Sequence, residues 1–394
     1  MRTLGTKKNE IGTFLAITCF LCNISQVPQL MGNTFVRLLY LGAWLALFFL
    51  LCLQNEKIHF GAIAPIIIFD IICVIFQTLN LLENNGKNYF KSNLFQPIHL
   101  CGFILIIGIM CGKSLTHKDF QKVSVAFIAS SLIVALVIYL NVFRGIDWAS
   151  EGEYLYSSKN SAGQIFLTSI ILVIYMFYER YKFLSLLIST FLMLLIFMMK
   201  SRATIISALI ILLYVIFFIV KNPKKKLFLI FLFSIVVCFV FINPTLHKLF
   251  IEEIMLRNKE LTDITGVTSN RDLHIQYFSR KFPKYWLLGT GGTYIEAFPL
   301  AGLLSYGVVG FIPMFVFSIY PILVAMKYRK VPHLRLFTSI VVILNLMMWF
   351  NGIFEELSPF GPGVKCYFLW LVTGILLSKA KQQNNEEDSN DVRL

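Results

Sequence analysis

An uncharged apolar run between two groups of cations stands at residues 200–226, KSRATIISALIILLYVIFFIVKNPKKK. Residues 203–220 contain no charged side chain, whereas Lys and Arg flank the run on both sides. A helix of about 20 apolar residues crosses the hydrocarbon core of a bilayer, which is about 30 Å thick. This stretch therefore predicts a transmembrane helix whose two ends reach the water interfaces.

The rest of the 394-residue chain has the same character. Hydrophobic residues make up 57% of the sequence and charged residues 14%, and the mean hydropathy is +0.73. Soluble domains contain about 45–50% apolar and about 25% charged residues, so this composition excludes an ordinary soluble protein. The net charge of +14 does not indicate nucleic acid as a partner, because the cations lie between the apolar runs and so signal membrane topology.

Twelve apolar runs are long enough to cross a membrane. The sequence therefore predicts an all-α polytopic membrane protein with about 12 transmembrane helices, and it shows no strand pattern of a barrel. The predicted spans are residues 11–30, 36–53, 62–82, 95–112, 123–143, 161–178, 183–199, 203–220, 227–243, 300–326, 335–354 and 362–378.

The predicted spans divide the chain into four parts. Residues 1–243 hold spans 1–9, and residues 300–378 hold spans 10–12. Residues 244–299 are the one large external loop, whose mixed composition predicts short helices packed on the membrane surface. Residues 379–394 are polar and predict a disordered tail. With both termini in the cytoplasm, most Lys and Arg residues fall on the cytoplasmic side, as the positive-inside rule requires.

The sequence lacks the motifs of common cofactor and metal sites. It contains no Walker A loop, no dinucleotide fingerprint after a strand and no zinc-spaced Cys and His pairs. The glycine-rich stretch Gly289–Gly292 has neither the Lys nor the strand of a phosphate-binding loop, so it predicts a turn before a helix. We therefore expect no metal and no cofactor.

Two predicted helices begin at the outer face with polar and cationic residues. Lys159 and Asn160 precede span 6, and Ser201 and Arg202 precede span 8. A helix N-terminus presents unpaired N–H groups and the positive end of its dipole, and the cations add full charges to the same side. An anion such as a pyrophosphate would find a prepared site there. The alternative for each cation alone is a side chain that extends to the interface.

The predicted external loop supplies a third polar group. Arg271 can clamp phosphate oxygens with its guanidinium fork, although a surface ion pair with the adjacent Asp272 is an open alternative. His274 would share a helical face with Arg271. Glu296 lies at the outward end of span 10 and is a candidate general base; the alternative is a carboxylate that the helix dipole favours.

Together these motifs resemble the O-antigen ligase and polymerase superfamily, and in particular the Wzy-type polysaccharide polymerases. The resemblance covers almost the whole chain through the number of spans and the single large loop. Its motifs are Lys159-Asn160-Ser161-Ala162-Gly163, Ser201-Arg202, Asn270-Arg271 and the stretch from Leu288 to Gly291. It implies a GT-C-like membrane glycosyltransferase that polymerises undecaprenyl-pyrophosphate-linked oligosaccharide repeat units into a surface polysaccharide.

One departure from the superfamily separates its branches. Where the ligase branch carries His followed by an amide or Ser, this sequence has Glu296 and Ala297, and Gly307 and Gly310 keep the following spacing. The departure favours a repeat-unit polymerase over an O-antigen-type ligase that transfers finished glycan. A lipid-linked oligosaccharide transporter or flippase is the alternative from a different class.

The resemblance also implies roles for particular residues. Arg202 and Arg271, supported by Lys159, would neutralise the leaving pyrophosphate without a metal, and Glu296 would be the first candidate base with His274 second. The candidate substrate-binding residues are Lys159, Asn160, Ser201, Tyr154, Trp286 and Glu355.

The resemblance implies a location and partners as well. The location is the outer face of the bacterial cytoplasmic membrane, with both termini in the cytoplasm. The expected partners are the lipid bilayer and undecaprenyl-pyrophosphate-linked oligosaccharides. A chain-length regulator and a repeat-unit flippase are candidate protein partners.

Overall fold

The computed structural model describes residues 3–54, scattered positions between 64 and 79, 95–148, 155–256, 259, 262–268, 270–290, 293–356, 358–360 and 366–391. Every regular element among these residues is a helix, and none of them lies in a β-strand. The all-α prediction is therefore confirmed for the described part of the chain.

The helices are labelled in chain order. The first seven are α1 (Thr3–Ile24), α2 (Thr34–Leu53), α3 (Phe95–Gly112), α4 (His117–Phe143), α5 (Lys159–Phe177), α6 (Lys182–Met198) and α7 (Arg202–Ile219). The others are α8 (Pro223–Ile242), α9 (Pro244–His247, continued by the π-helical turns Lys248–Met255), α10 (Ile264–Thr268), α11 (Arg271–Tyr285), α12 (Phe298–Tyr328), α13 (Arg335–Phe354) and α14 (Tyr367–Asp391).

Seven of the described helices are long and apolar enough to cross a membrane: α2, α4, α5, α7, α8, α12 and α13 with the short turn before it. Three further apolar segments are shorter: Glu10–Ile24, Ile98–Gly112 and Lys182–Met198. The first ends at Ile24, four residues before Pro28 and within the predicted span 11–30. Most of the predicted span 62–82 lies outside the described residues. The membrane-protein class is thus confirmed, whereas the number of twelve spans stays a prediction.

Glycines allow the C-terminal helix to pack closely on α3. A Cβ atom added at Gly108 would overlap the backbone carbonyl of Leu371 and lie 3.1 Å from the Cα atom of Gly374. Gly112, one turn further along α3, faces Ile375 in the same way. Small residues at such spacing let membrane helices approach backbone to backbone, where van der Waals packing is strongest. The apolar first part of α14, residues 367–378, is buried.

Helix α12 is broken near its start, and the break holds the preceding loop. Gly307 has φ +64° and ψ −178°, a conformation that favours glycine. The backbone N–H of Val308 donates to the carbonyl of Trp286 at 2.8 Å, and the N–H of Thr290 donates to the carbonyl of Leu304 at 2.8 Å. The loop before α12 is therefore pinned to the broken helix instead of lying freely at its end.

Candidate functional site

A cavity of about 750 Å³ lies where the N-terminal ends of α5, α7 and α12 meet α11 and the last turn of α13. It is lined by Ser157, Lys159, Asn160, Arg202, Ala203, Ile206, Met255, Thr268, Arg271, His274, Ile275, Ile295, Glu296, Ala297, Pro299, Leu300, Ile353 and Phe354. Six of the ten site residues expected from the sequence line this one cavity. They come from four separate stretches of the chain, so the convergence is a property of the fold.

A side-chain hydrogen bond fastens the start of α5 to the start of α7. The Ser201 hydroxyl donates to Oδ1 of Asn160 at 2.9 Å, and it lies 2.8 Å from the hydroxyl of Thr204. Gly163 faces Thr204 so closely that a Cβ atom would overlap the threonine side chain. Ser201 itself is fully buried behind the cavity. Its place in the structure is to join the two helix ends that carry Lys159 and Arg202.

Lys159 and Arg202 bring two cations to one wall of the cavity. Lys159 is only 8% exposed, which argues against the alternative of a side chain extended along the interface. The charged groups that act on it are Arg202, Arg271, Glu296 and Glu355. Arg202 donates from Nη1 to the carbonyl of Met255 at 2.8 Å, so the end of α9 fixes its direction.

Arg271 is the best-anchored cation of the site. Its Nη1 donates to the carbonyl of Thr268 at 3.1 Å and its Nη2 to the carbonyl of Phe354 at 2.9 Å. Its guanidinium carbon lies 5.6 Å from the centre of the Phe354 ring, within the range of a cation–π contact. Nη2 also forms an ion pair with Oε2 of Glu296 at 3.2 Å.

Asp272 binds threonine hydroxyls, whereas the sequence left open a surface ion pair between Asp272 and Arg271. It accepts hydrogen bonds from the hydroxyls of Thr265 at 2.7 Å and Thr268 at 2.9 Å. These bonds, that of Thr265 foremost, lower the pKa of Asp272. Asp272 therefore ties the start of α11 to α10 through its threonine hydrogen bonds, while Arg271 pairs with Glu296.

His274 is oriented by the backbone of Glu296. The N–H of Glu296 donates to Nδ1 of His274 at 3.1 Å. A neutral imidazole whose Nδ1 accepts a hydrogen bond carries its proton on Nε2 and has no second lone pair for a base. The arrangement makes His274 a hydrogen-bond donor to the cavity, which weakens its assignment as the second candidate base.

The other four expected residues lie away from the cavity wall or outside the described residues. Glu355 follows α13 and accepts a hydrogen bond from Nε2 of the buried Gln164 at 3.2 Å. Ser201 lies behind the wall, as described above. Trp286 is 53% exposed, and its backbone pairs with the break in α12. Tyr154 lies outside the described residues.

The structure adds residues that the sequence patterns did not single out. Tyr294 donates its hydroxyl hydrogen to Oε1 of Glu296 at 3.0 Å, and its ring lies edge-on to His274 with the centres 6.0 Å apart. Phe354 and Met255 hold the two arginines through their backbone carbonyls. A backbone carbonyl acceptor cannot be identified from the residue type. Tyr294, in contrast, is two residues from Glu296 in the sequence, and this proximity could have indicated a contact.

The charges of the cavity wall favour an anionic ligand. Lys159, Arg202 and Arg271 supply three basic side chains, and Glu296 is the one carboxylate among the described residues that lines the wall. Apolar side chains such as Ile206, Ile275 and Ile353 form the remaining surface, and the last two are 54% and 46% exposed. The site thus joins a cationic wall to an apolar rim.

In the described part of the chain, no three metal-ligating side chains are grouped. Neither a scan against protein-family models nor a search of curated proteins gives a match for this sequence.

Proposed function

We propose that this protein is a membrane glycosyltransferase that polymerises undecaprenyl-pyrophosphate-linked oligosaccharide repeat units on the outer face of a bacterial cytoplasmic membrane. The observation that carries the proposal is the convergence of Lys159, Arg202 and Arg271 with Glu296 in one cavity at the ends of apolar helices. Three cations suit a pyrophosphate, and an apolar rim suits a lipid chain.

In the proposed reaction, the sugar carbon of one lipid-linked repeat transfers to a hydroxyl of a second. The bond between this carbon and the pyrophosphate oxygen breaks, and a new glycosidic bond forms. Arg202, Arg271 and Lys159 stabilise the negative charge that develops on the leaving pyrophosphate. Glu296 accepts the proton of the attacking hydroxyl. This requires no metal and no cofactor.

The position of Glu296 is compatible with the role of a base. A carboxylate offers about four lone-pair positions, and Tyr294 and Arg271 use one on each oxygen. The remaining positions are available to a substrate hydroxyl. His274, with its proton on Nε2, is assigned to donate a hydrogen bond to a substrate oxygen.

The proposal includes a topology of twelve spans with both termini in the cytoplasm. Under it, the starts of α5, α7 and α12 and the end of α13 share the outer face, because successive spans alternate in direction. The polybasic turn between α7 and α8, Lys221 to Lys226, then lies in the cytoplasm, as the positive-inside rule favours. A flippase that delivers the repeat unit and a regulator of chain length are its proposed partners.

The test is reconstitution of the purified protein in liposomes with a lipid-linked repeat unit, without nucleotide sugar and without metal. We expect a product ladder spaced by one repeat, and its loss in Arg202→Ala and in Arg271→Ala. Arg280→Ala is the matched control, because Arg280 is exposed on α11 and does not line the cavity. Normal ladders from both site variants would refute the site.

The alternatives give different products in the same assay. A ligase leaves single repeats unextended and transfers a finished glycan to another acceptor. A flippase moves the labelled repeat across the vesicle membrane without lengthening it. Either result from folded, substrate-binding protein would overturn the polymerase proposal.

A further inference from the structure

Glu296 is held at three points by residues of α11 and of the loop before α12. Arg271 binds Oε2 at 3.2 Å, and the Tyr294 hydroxyl donates to Oε1 at 3.0 Å. His274 accepts the backbone N–H at 3.1 Å. The two carboxylate oxygens therefore have different partners, one a cation and one a neutral hydroxyl.

The loop that carries Tyr294 is itself fixed. The Thr293 N–H donates to the Ser305 hydroxyl at 3.2 Å, and the hydroxyls of Thr290 and Thr293 lie 2.7 Å apart. Ile295, between Tyr294 and Glu296, is fully buried against Ala301 and Leu304. The residues on both sides of Tyr294 are anchored to α12, so the backbone that carries the tyrosine is held close to Glu296.

The Tyr294 hydroxyl remains a donor at neutral pH. Desolvation, followed by the charge of Glu296 and the hydrogen bond to it, raises the pKa of Tyr294 to about 12. Glu355 and Glu356 act on it in the same direction. The tyrosine therefore keeps its proton across the range in which a carboxylate is ionised.

We propose that Tyr294 is a positioning residue that sets the orientation of the Glu296 carboxylate. Arg271 alone would leave the carboxylate free to rotate about a single ionic contact. The second hydrogen bond fixes the plane of the group and directs its unused lone pairs to one side. The catalytic consequence of this orientation rests on the proposed function, because a base must meet the acceptor hydroxyl within hydrogen-bond distance. The orientation itself does not depend on that function.

The first readout is enzymatic and compares Tyr294→Phe with Tyr277→Phe. Tyr277 is 42% exposed on α11 and does not line the cavity, so it is the matched control. Loss of one hydrogen bond to a charged group should lower kcat about tenfold. KM should stay within about twofold, because the cations that bind the substrate are unchanged. An unchanged kcat in Tyr294→Phe would overturn the catalytic part of the proposal.

The second readout is independent of any enzymatic activity. The infrared difference between the parent protein and its Glu296→Gln variant isolates the carboxylate stretching bands of Glu296. We expect these bands to shift when the same difference is measured in the Tyr294→Phe background, and not in the Tyr277→Phe background. Unshifted bands would overturn the proposed orientation. If the bands shift but the protein makes no polymer, the orientation stands and the polymerase proposal fails.

Discussion

Arg271 and Glu296 form an ion pair of 3.2 Å that joins the first residue of α11 to the loop before α12. The side chains are 23% and 33% exposed, so the pair is partly shielded from solvent. A guanidinium that binds a carboxylate can also bind a phosphate, since both offer paired oxygens. The pair thus links the anion-binding function proposed for Arg271 to the proton-accepting function proposed for Glu296.

Replacing Glu296 separates these two functions. Glu296→Gln keeps the shape of the side chain but removes its charge and its ability to accept a proton. We expect the rate of chain growth to fall about 100-fold or more, as for the loss of a general base. Binding of the lipid-linked substrate should be retained or become tighter, because Arg271 loses its internal counter-ion.

The measurements are substrate binding in detergent micelles and ladder formation in liposomes. Glu252→Gln is the control, because Glu252 is half exposed on α9 and pairs with His247. If Glu296→Gln polymerises at the parental rate, Glu296 is not the base.

The break in α12 should be intolerant of a side chain. Gly307→Ala places a Cβ atom against the backbone of Leu287 and imposes a left-handed conformation on an alanine. We expect a loss of about 1–3 kcal/mol in the free energy of unfolding, with a lower Tm in detergent. Gly42→Ala is the control, because a Cβ atom there meets nothing within 4 Å. Equal Tm values for the two variants would contradict this account of the loop.

The hydrogen bond between Asn160 and Ser201, which joins the starts of α5 and α7, should give a measurable coupling in the free energy of unfolding. Asn160→Ala and Ser201→Ala each remove one partner of the 2.9 Å hydrogen bond. We expect a double-mutant cycle on unfolding in detergent to give a coupling of about 1 kcal/mol. Additive effects of the two substitutions would show that the contact does not fasten the helices.

The start of α11 should lose protection in acid. The pKa of Asp272 is lowered in the folded protein by its threonine hydrogen bonds. A carboxyl group whose folded pKa is below its unfolded value stabilises the fold above the unfolded value, about 4, and loses this contribution as the pH falls through the folded value. The protection factors of the amides at the start of α11, which correct for the intrinsic exchange rate, should therefore fall below about pH 4 in the parent.

Asp272→Asn isolates this effect from other titrations. The variant lacks the ionisable group, so the difference in exchange between parent and variant should shrink as the pH falls. A difference that is constant with pH would show that Asp272 does not stabilise the helix through its charge.

Sequence patterns were sufficient to predict the all-helical class of the described residues and several of its long apolar helices. Apolar runs such as 203–220 predict helices because the hydrocarbon core offers no hydrogen-bond partners, and a helix pairs its backbone N–H and C=O groups within one segment. This run forms most of α7 (Arg202–Ile219). Lys159, Arg202, Arg271 and Glu296 stand out because they are charged residues on the predicted outer side, at or near the starts of predicted helices. What the patterns could not supply was the distance between these residues.

The tertiary structure decided which polar residues meet and in what orientation. Tertiary packing brings Glu296 to within 3.2 Å of Arg271, and the π-helical end of α9 supplies the carbonyl that directs Arg202. Tyr294 and His274 acquire their roles only through this arrangement. The physical reason is that the hydrophobic pattern of a sequence is local and fixes the helices, whereas hydrogen-bond partners far apart in the chain are chosen when the helices pack.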